Sequence, residues 1–116
     1  MSDVRGSTMS RNNQVDAVID MRSFASRAEP SSDWLQGRTD PAFADAKVRV
    51  SAFALRGQGE VEALQADEFV LVLAGRLEIE SEAGTLAIDA DDGVAIPFRT
   101  GFRWRASDDL LAIVYA

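Results

Sequence analysis

From Lys47 onward, apolar and polar residues alternate in short runs, a period of two that predicts β-strands. Over Lys47–Arg56 the alternation puts Val48, Val50, Ala52 and Ala54 on one face and Arg49, Ser51, Phe53 and Leu55 on the other. Gly57-Gln58-Gly59 ends that strand, and Glu60–Leu64 forms a short second one. Phe69–Leu73 is an unbroken apolar run, so both of its faces need cover. Arg76–Glu80 alternates with Leu77 and Ile79 inward, and beyond the Glu82-Ala83-Gly84 turn Thr85–Asp89 does so with Leu86 and Ile88 inward. Gly93–Pro97, Phe102–Ala106 and Leu110–Tyr115 complete the series. About eight short strands, divided by Gly and Asp turns with no helical segment between them, predict an all-β sandwich or barrel.

Residues 1–46 differ in kind. They are rich in Ser, Asp, Asn and Arg, and only short apolar groups such as Val15–Ile19 and Ser23–Ala25 interrupt them. Pro30-Ser31-Ser32-Asp33 and Thr39-Asp40-Pro41 read as turns. The stretch 13–29 suits a short helix or an extended arm equally well. The expected organisation is an N-terminal arm over 1–46, partly mobile and packed on the barrel or on a partner subunit, and a β-barrel over 47–116.

Composition narrows the function further. A chain of 116 residues with 47% hydrophobic content supports one domain with its own core. With 19 acidic and 12 basic residues, all but Lys47 of the latter arginine, the net charge is −7. That balance disfavours nucleic acid and anionic membranes, which need a cationic footprint. No apolar run reaches the length of a membrane span and no signal-like apolar core follows Met1, so a cytoplasmic location is expected. Without cysteine there is no disulfide, thiol nucleophile or thiolate metal site, and without histidine the usual general base and the commonest transition-metal ligand are missing. Ser and Thr nucleophiles lack a partnering base, and no glycine cluster opens a helix as a phosphate loop does.

Asp67-Glu68-Phe69-Val70-Leu71-Val72-Leu73-Ala74-Gly75 resembles the first motif of the cupin superfamily, HxH(x)3–4E(x)6G, with Glu68 and Gly75 at the required spacing. Asp92-Gly93-Val94-Ala95-Ile96-Pro97 resembles the GDxxxIP start of the second. Taken together, Ser51–Tyr115 looks most like the ureidoglycine aminohydrolase-like cupins, a group that includes the ethanolamine-utilisation cupins. The resemblance implies a jelly-roll β-barrel, in agreement with the strand pattern. It also implies a two-fold homodimer, since many cupins exchange strands or arms. Metal-binding cupins hold a divalent ion with three His and one Glu. Here the motif-one histidine positions fall on Val61 and Ala63 (or on Glu62 and Leu64 with the shorter spacer), and the motif-two position on Phe102. Asp91 and Arg99 stand where the second motif has Gly. One carboxylate does not hold a transition metal, so neither metal nor other cofactor is expected.

Glu68 is then the only candidate acid or base. In the cupin register it points into the barrel with Val70 and Val72, where its charged form is costly unless a donor or cation compensates. Asp67 faces the other way. Phe102 and Trp104 share a strand face that would line the barrel with Val61 and Ala63, as a ligand platform or as core filling. Arg99 and Arg103 suit a solvated surface, or guidance of an anion at the mouth. Two readings follow: a metal-free cupin binding a small nitrogenous or amino-acid-derived metabolite beside Glu68, or a non-catalytic dimeric module with a filled barrel.

Overall fold

The computed structural model describes residues 4–5, 18–42 and 49–116. The expectations for 1–3 and 6–17, and for the Lys47-Val48 start of the first long strand, lie outside the described residues. The elements are β1 (Val4–Arg5), β2 (Val18–Ile19), α1 (Met21–Ala25), β3 (Pro30–Ser31), β4 (Val50–Leu55), β5 (Gly57–Val61) and β6 (Glu68–Ala74). They continue with β7 (Arg76–Ser81), β8 (Gly84–Asp89), β9 (Gly93–Ile96), β10 (Phe102–Ala106) and β11 (Leu111–Tyr115). One sheet has the order β5-β10-β7-β8 and the other β3-β4-β11-β6-β9, while β1 and β2 form a separate ribbon. Every pairing is antiparallel except that of β3 with β4. This is an all-β jelly roll. Among the described residues no helix is long and apolar enough to cross a membrane.

The main core lies between the sheets, where the inward residues of the alternating strands meet. Phe53 and Leu55 of β4, Val70 and Val72 of β6, Leu77 and Ile79 of β7, and Phe102 and Trp104 of β10 are all buried there. The outward residues of β4, β6 and β11 meet a second, smaller core. Phe24 and Ala25 of α1 pack on Ala52 and Ile113, with Leu71 and Leu73 at its margin. The apolar run of β6 is thus covered on both sides, the outer one in part by the N-terminal segment. α1 itself is one turn long, and its start is held by Asp20, whose Oδ1 accepts from the Ser23 N–H at 3.2 Å.

Four local expectations are corrected. Gly57-Gln58-Gly59, read as the connection before a strand over Glu60–Leu64, is itself strand, because it pairs with residues 104–106 of β10, and β5 ends at Val61. Pro30-Ser31 is a strand rather than part of a turn, pairing in parallel with Ala54-Leu55. The turn comes after it, where Asp33 Oδ1 accepts from the amides of Leu35 and Gln36. Thr39-Asp40-Pro41 also runs extended. Thr39 exchanges backbone and side-chain hydrogen bonds with Ala52, and the Ala42 N–H donates to the Val50 carbonyl. An edge of β4 was open to that segment, and pairing with it outweighs local turn preference. Leu86, expected inward, is 58% exposed. It lies near the β7–β8 turn on the last strand of its sheet, so no further strand flanks it.

Asp91 and Arg99, which stand at glycine positions of the second motif, have φ of 73° and 68°. The backbone keeps the left-handed conformation that glycine would adopt freely, and each side chain imposes a steric cost there.

Candidate functional site

Glu68 opens β6 opposite Ile96, and the β-alternation turns its side chain into the barrel on the face of Val70 and Val72. It is 7% exposed. A carboxylate there needs partners, and the N-terminal segment supplies them. The indole Nε1 of Trp34 donates to Glu68 Oε1 at 3.1 Å, and Arg38 Nη2 donates to the same oxygen at 2.8 Å. Arg38 Nε in turn donates to the Trp34 carbonyl at 3.1 Å, which closes a small network.

The turn at Asp33 and the pairing of residues 38–42 with β4 fix the two ends of this segment, so that Trp34 projects between the sheets. Its ring meets Phe53 and Phe102 edge-on, each with centroids 4.9 Å apart, and Trp104 at 6.2 Å. The Arg38 guanidinium lies 5.8 Å from the centre of the Phe53 ring. The Trp34 indole thus fills the space beside Glu68 Oε1.

Phe102, Trp104 and Val61 are buried in the main core. Ala63 lies half-buried just beyond β5, where it lines a cleft described below. Asp67 is exposed, and its Oδ1 accepts from the Phe98 N–H at 2.8 Å. The Arg99 side chain lies at the surface over the Phe98 ring, and Arg103 pairs with Glu80 at 3.4 Å. Trp34 and Arg38 were missed as site residues by sequence reasoning. The available signal was a tryptophan, costly to leave in water, set in a Ser- and Asp-rich stretch.

Among the described residues, two depressions bear on the site. One, of about 510 Å³, runs over the outer face of the β5-β10-β7-β8 sheet, where Arg103 faces Glu80 and Arg105 lies 3.8 Å from Glu78. These are solvated cross-strand pairs of small energetic weight. The other, of about 370 Å³, lies at the barrel mouth between residues 32–35 and residues 59–63 of the β5 edge. Among the described residues, no group of His, Cys, Asp or Glu is arranged to hold a metal ion.

Comparison with solved structures agrees with this architecture. The chain is similar to a cupin-2 domain protein from Shewanella frigidimarina, with TM-score 0.68 and 16% identity over 85% of this chain and 93% of that one. It is similar to the EutQ protein of Clostridium difficile at TM-score 0.50 and 16% identity, over 59% of this chain and 52% of that one. It is also similar to a DUF861-family protein of unknown function from Pseudomonas syringae, at TM-score 0.63 and 13% identity, over 98% of this chain and 40% of that one. No family model matches the sequence, and no curated protein matches it. At these identities the likeness shows the fold, which is the cupin jelly roll.

Proposed function

We propose that this chain is a non-catalytic cupin module whose barrel is closed by its own N-terminal segment. The observation that carries the reading is the network in which Trp34 and Arg38 both donate to Glu68 Oε1. A general acid or base needs a proton path to a substrate, and here the carboxylate is spent on an ion pair under an indole. The reading involves no transition metal, because the sequence has no His or Cys. Kinship with the ureidoglycine aminohydrolase-like and ethanolamine-utilisation cupins is part of the proposal, and the DEFVLVLAG and DDGVAIP segments support it.

Such a module works through its surfaces, and we assign one of them to a second copy of the chain. Phe69 is 42% exposed on the outer face of β6, beside Tyr115 with ring centroids 6.0 Å apart. Leu71 and Leu73 follow it on the same face, half-buried at the margin of the α1 contact. A two-fold dimer would cover this strip.

A thermal-shift screen of small nitrogenous metabolites tests the closed barrel. Any compound that stabilises the wild type is expected to stabilise Glu68→Gln equally. A compound that raises the melting temperature of wild type alone would restore Glu68 as a ligand-binding group.

A further inference from the structure

The two main sheets end in β5, β8, β3 and β9. Edge strands recruit other strands through their open N–H and C=O groups, and proteins blunt them with shortness, proline or charge. β3 has two residues, one of them Pro30; β5 carries Glu60; β9 spans four residues between Asp92 and Pro97. β8 is six residues long, and 84–88 hold neither charge nor proline. It is the edge left unguarded.

Its hydrogen-bonding phase follows from the turn before it. Ser81 and Gly84 pair across the two residues Glu82 and Ala83, and such a closing pair exchanges both backbone bonds. Bonding then alternates along the ladder, so Leu86 and Ile88 bond to β7 while Thr85 and Ala87 turn their N–H and C=O groups to the open side. Among the described residues nothing bonds to them there. Leu86 shares a sheet face with the buried Ile79 and Ile88 and is nevertheless 58% exposed. An added strand would flank it.

Charge on the opposite face runs in stripes. Arg103 and Arg105 of β10 lie 3.4 Å from Glu80 and 3.8 Å from Glu78 of β7, respectively. Next to that acidic stripe β8 places only Thr85 and Ala87, opposite Glu80 and Glu78. Arg76 meets Asp89 and Glu78 at one end of the edge, at 3.9 Å each, and the turn end carries Glu80 and Glu82. Long basic side chains of an added strand reach over the small Thr85 and Ala87 to Glu78 and Glu80 and continue the alternation of charge. A second copy of β8 brings no cation to that place and adds its own Glu82 and Asp89.

We propose that β8 is a docking edge for an extended segment of another protein in which basic and apolar residues alternate. The segment adds as an antiparallel strand, bonded to Thr85 and Ala87. Its basic side chains point toward Glu78 and Glu80, and an apolar one covers Leu86. This edge belongs to the sheet that does not carry the Phe69 strip, and the proposal does not depend on the closed barrel.

The probe is the peptide acetyl-Lys-Val-Lys-Val-Lys-Val-Lys-amide, added to the full chain and followed by ¹H–¹⁵N spectra and amide exchange. Without it, the Thr85 and Ala87 amides are expected to exchange faster than those of Leu86 and Ile88. With it, the β8 signals should shift saturably, and exchange at Thr85 and Ala87 should slow by about tenfold or more. Residues paired with Thr85 and Ala87 share their face, so the lysines of the probe supply its bonding N–H groups. Methylating the backbone nitrogens of the two central lysines keeps every charge and should abolish the protection. The double variant Glu78→Gln with Glu80→Gln should weaken binding by about tenfold, while its backbone amide spectrum confirms an intact fold. The proposal fails if the probe leaves β8 unmoved, if the methylated peptide protects equally, or if the double variant binds as wild type does. Shifts at Thr85 and Ala87 that grow with protein concentration alone would assign the edge to a second copy and overturn it.

Discussion

Oε1 of Glu68 accepts from an indole and a guanidinium that enter from the N-terminal segment, and this pairing decides how the residue behaves. Replacing Glu68 by Gln keeps the volume but leaves Arg38, whose side chain is 16% exposed, without its counter-charge. A buried pair that loses one member is penalised more than the intact pair stabilises. Glu68→Gln is therefore expected to destabilise by about 1–3 kcal/mol in chemical denaturation. In a cycle with Arg38→Met, the double variant should be less destabilised than the sum of the singles. Unchanged stability would mean that the pair does not form. A second residue-scale expectation concerns Arg99, held at φ 68° with an exposed side chain. Arg99→Gly removes the steric cost of the left-handed backbone and should raise stability by up to about 1 kcal/mol, readable as a higher urea midpoint. Asp91, at φ 73°, has a short polar side chain that suits this conformation better and should gain less.

At the scale of elements, the segment from β3 to Ala42 is a working part of the barrel. It binds both ends of β4, in parallel at Pro30-Ser31 and antiparallel from Arg38 onward, and between them it inserts Trp34. Trp34→Ala should cost about 3–5 kcal/mol, as a buried aromatic does, although it lies outside every long strand. A cost below about 1 kcal/mol in urea denaturation would show that the ring is not core. Strand patterns were legible because alternation is local: Leu77 and Ile79 on β7, and Phe102, Trp104 and Ala106 on β10, are buried as their period requires. Trp34 and Arg38 were not legible, because what places them is pairing with a strand far along the chain. A Pro-Ser-Ser-Asp stretch has turn chemistry by itself and becomes strand only against the free edge of β4. Leu86 failed for a related reason. Alternation assigns a side chain to a face, but not the cover above it.

At the scale of the whole molecule, two sheets enclose an interior filled by side chains of the strands together with Trp34 of the N-terminal segment. Glu68 was legible as an inward carboxylate from motif spacing and strand phase together. Its partners come from thirty or more residues upstream, at Arg38 and Trp34, and no local pattern links them to it. The apolar strip of Phe69, Leu71 and Leu73 predicts a dimer by light scattering, which Phe69→Glu together with Leu71→Glu should convert to a folded monomer; a monomeric wild type would contradict the assigned interface. The closed barrel is tested most directly by hydrogen exchange at the indole of Trp34. Its Nε1–H is buried and bonded to Glu68, so it should exchange only through opening of the barrel, on the scale of the slowest backbone amides of β6 and β11. Exchange of the Trp34 indole proton as fast as that of exposed amides, in a protein whose β6 and β11 amides remain protected, would mean that the barrel stands open.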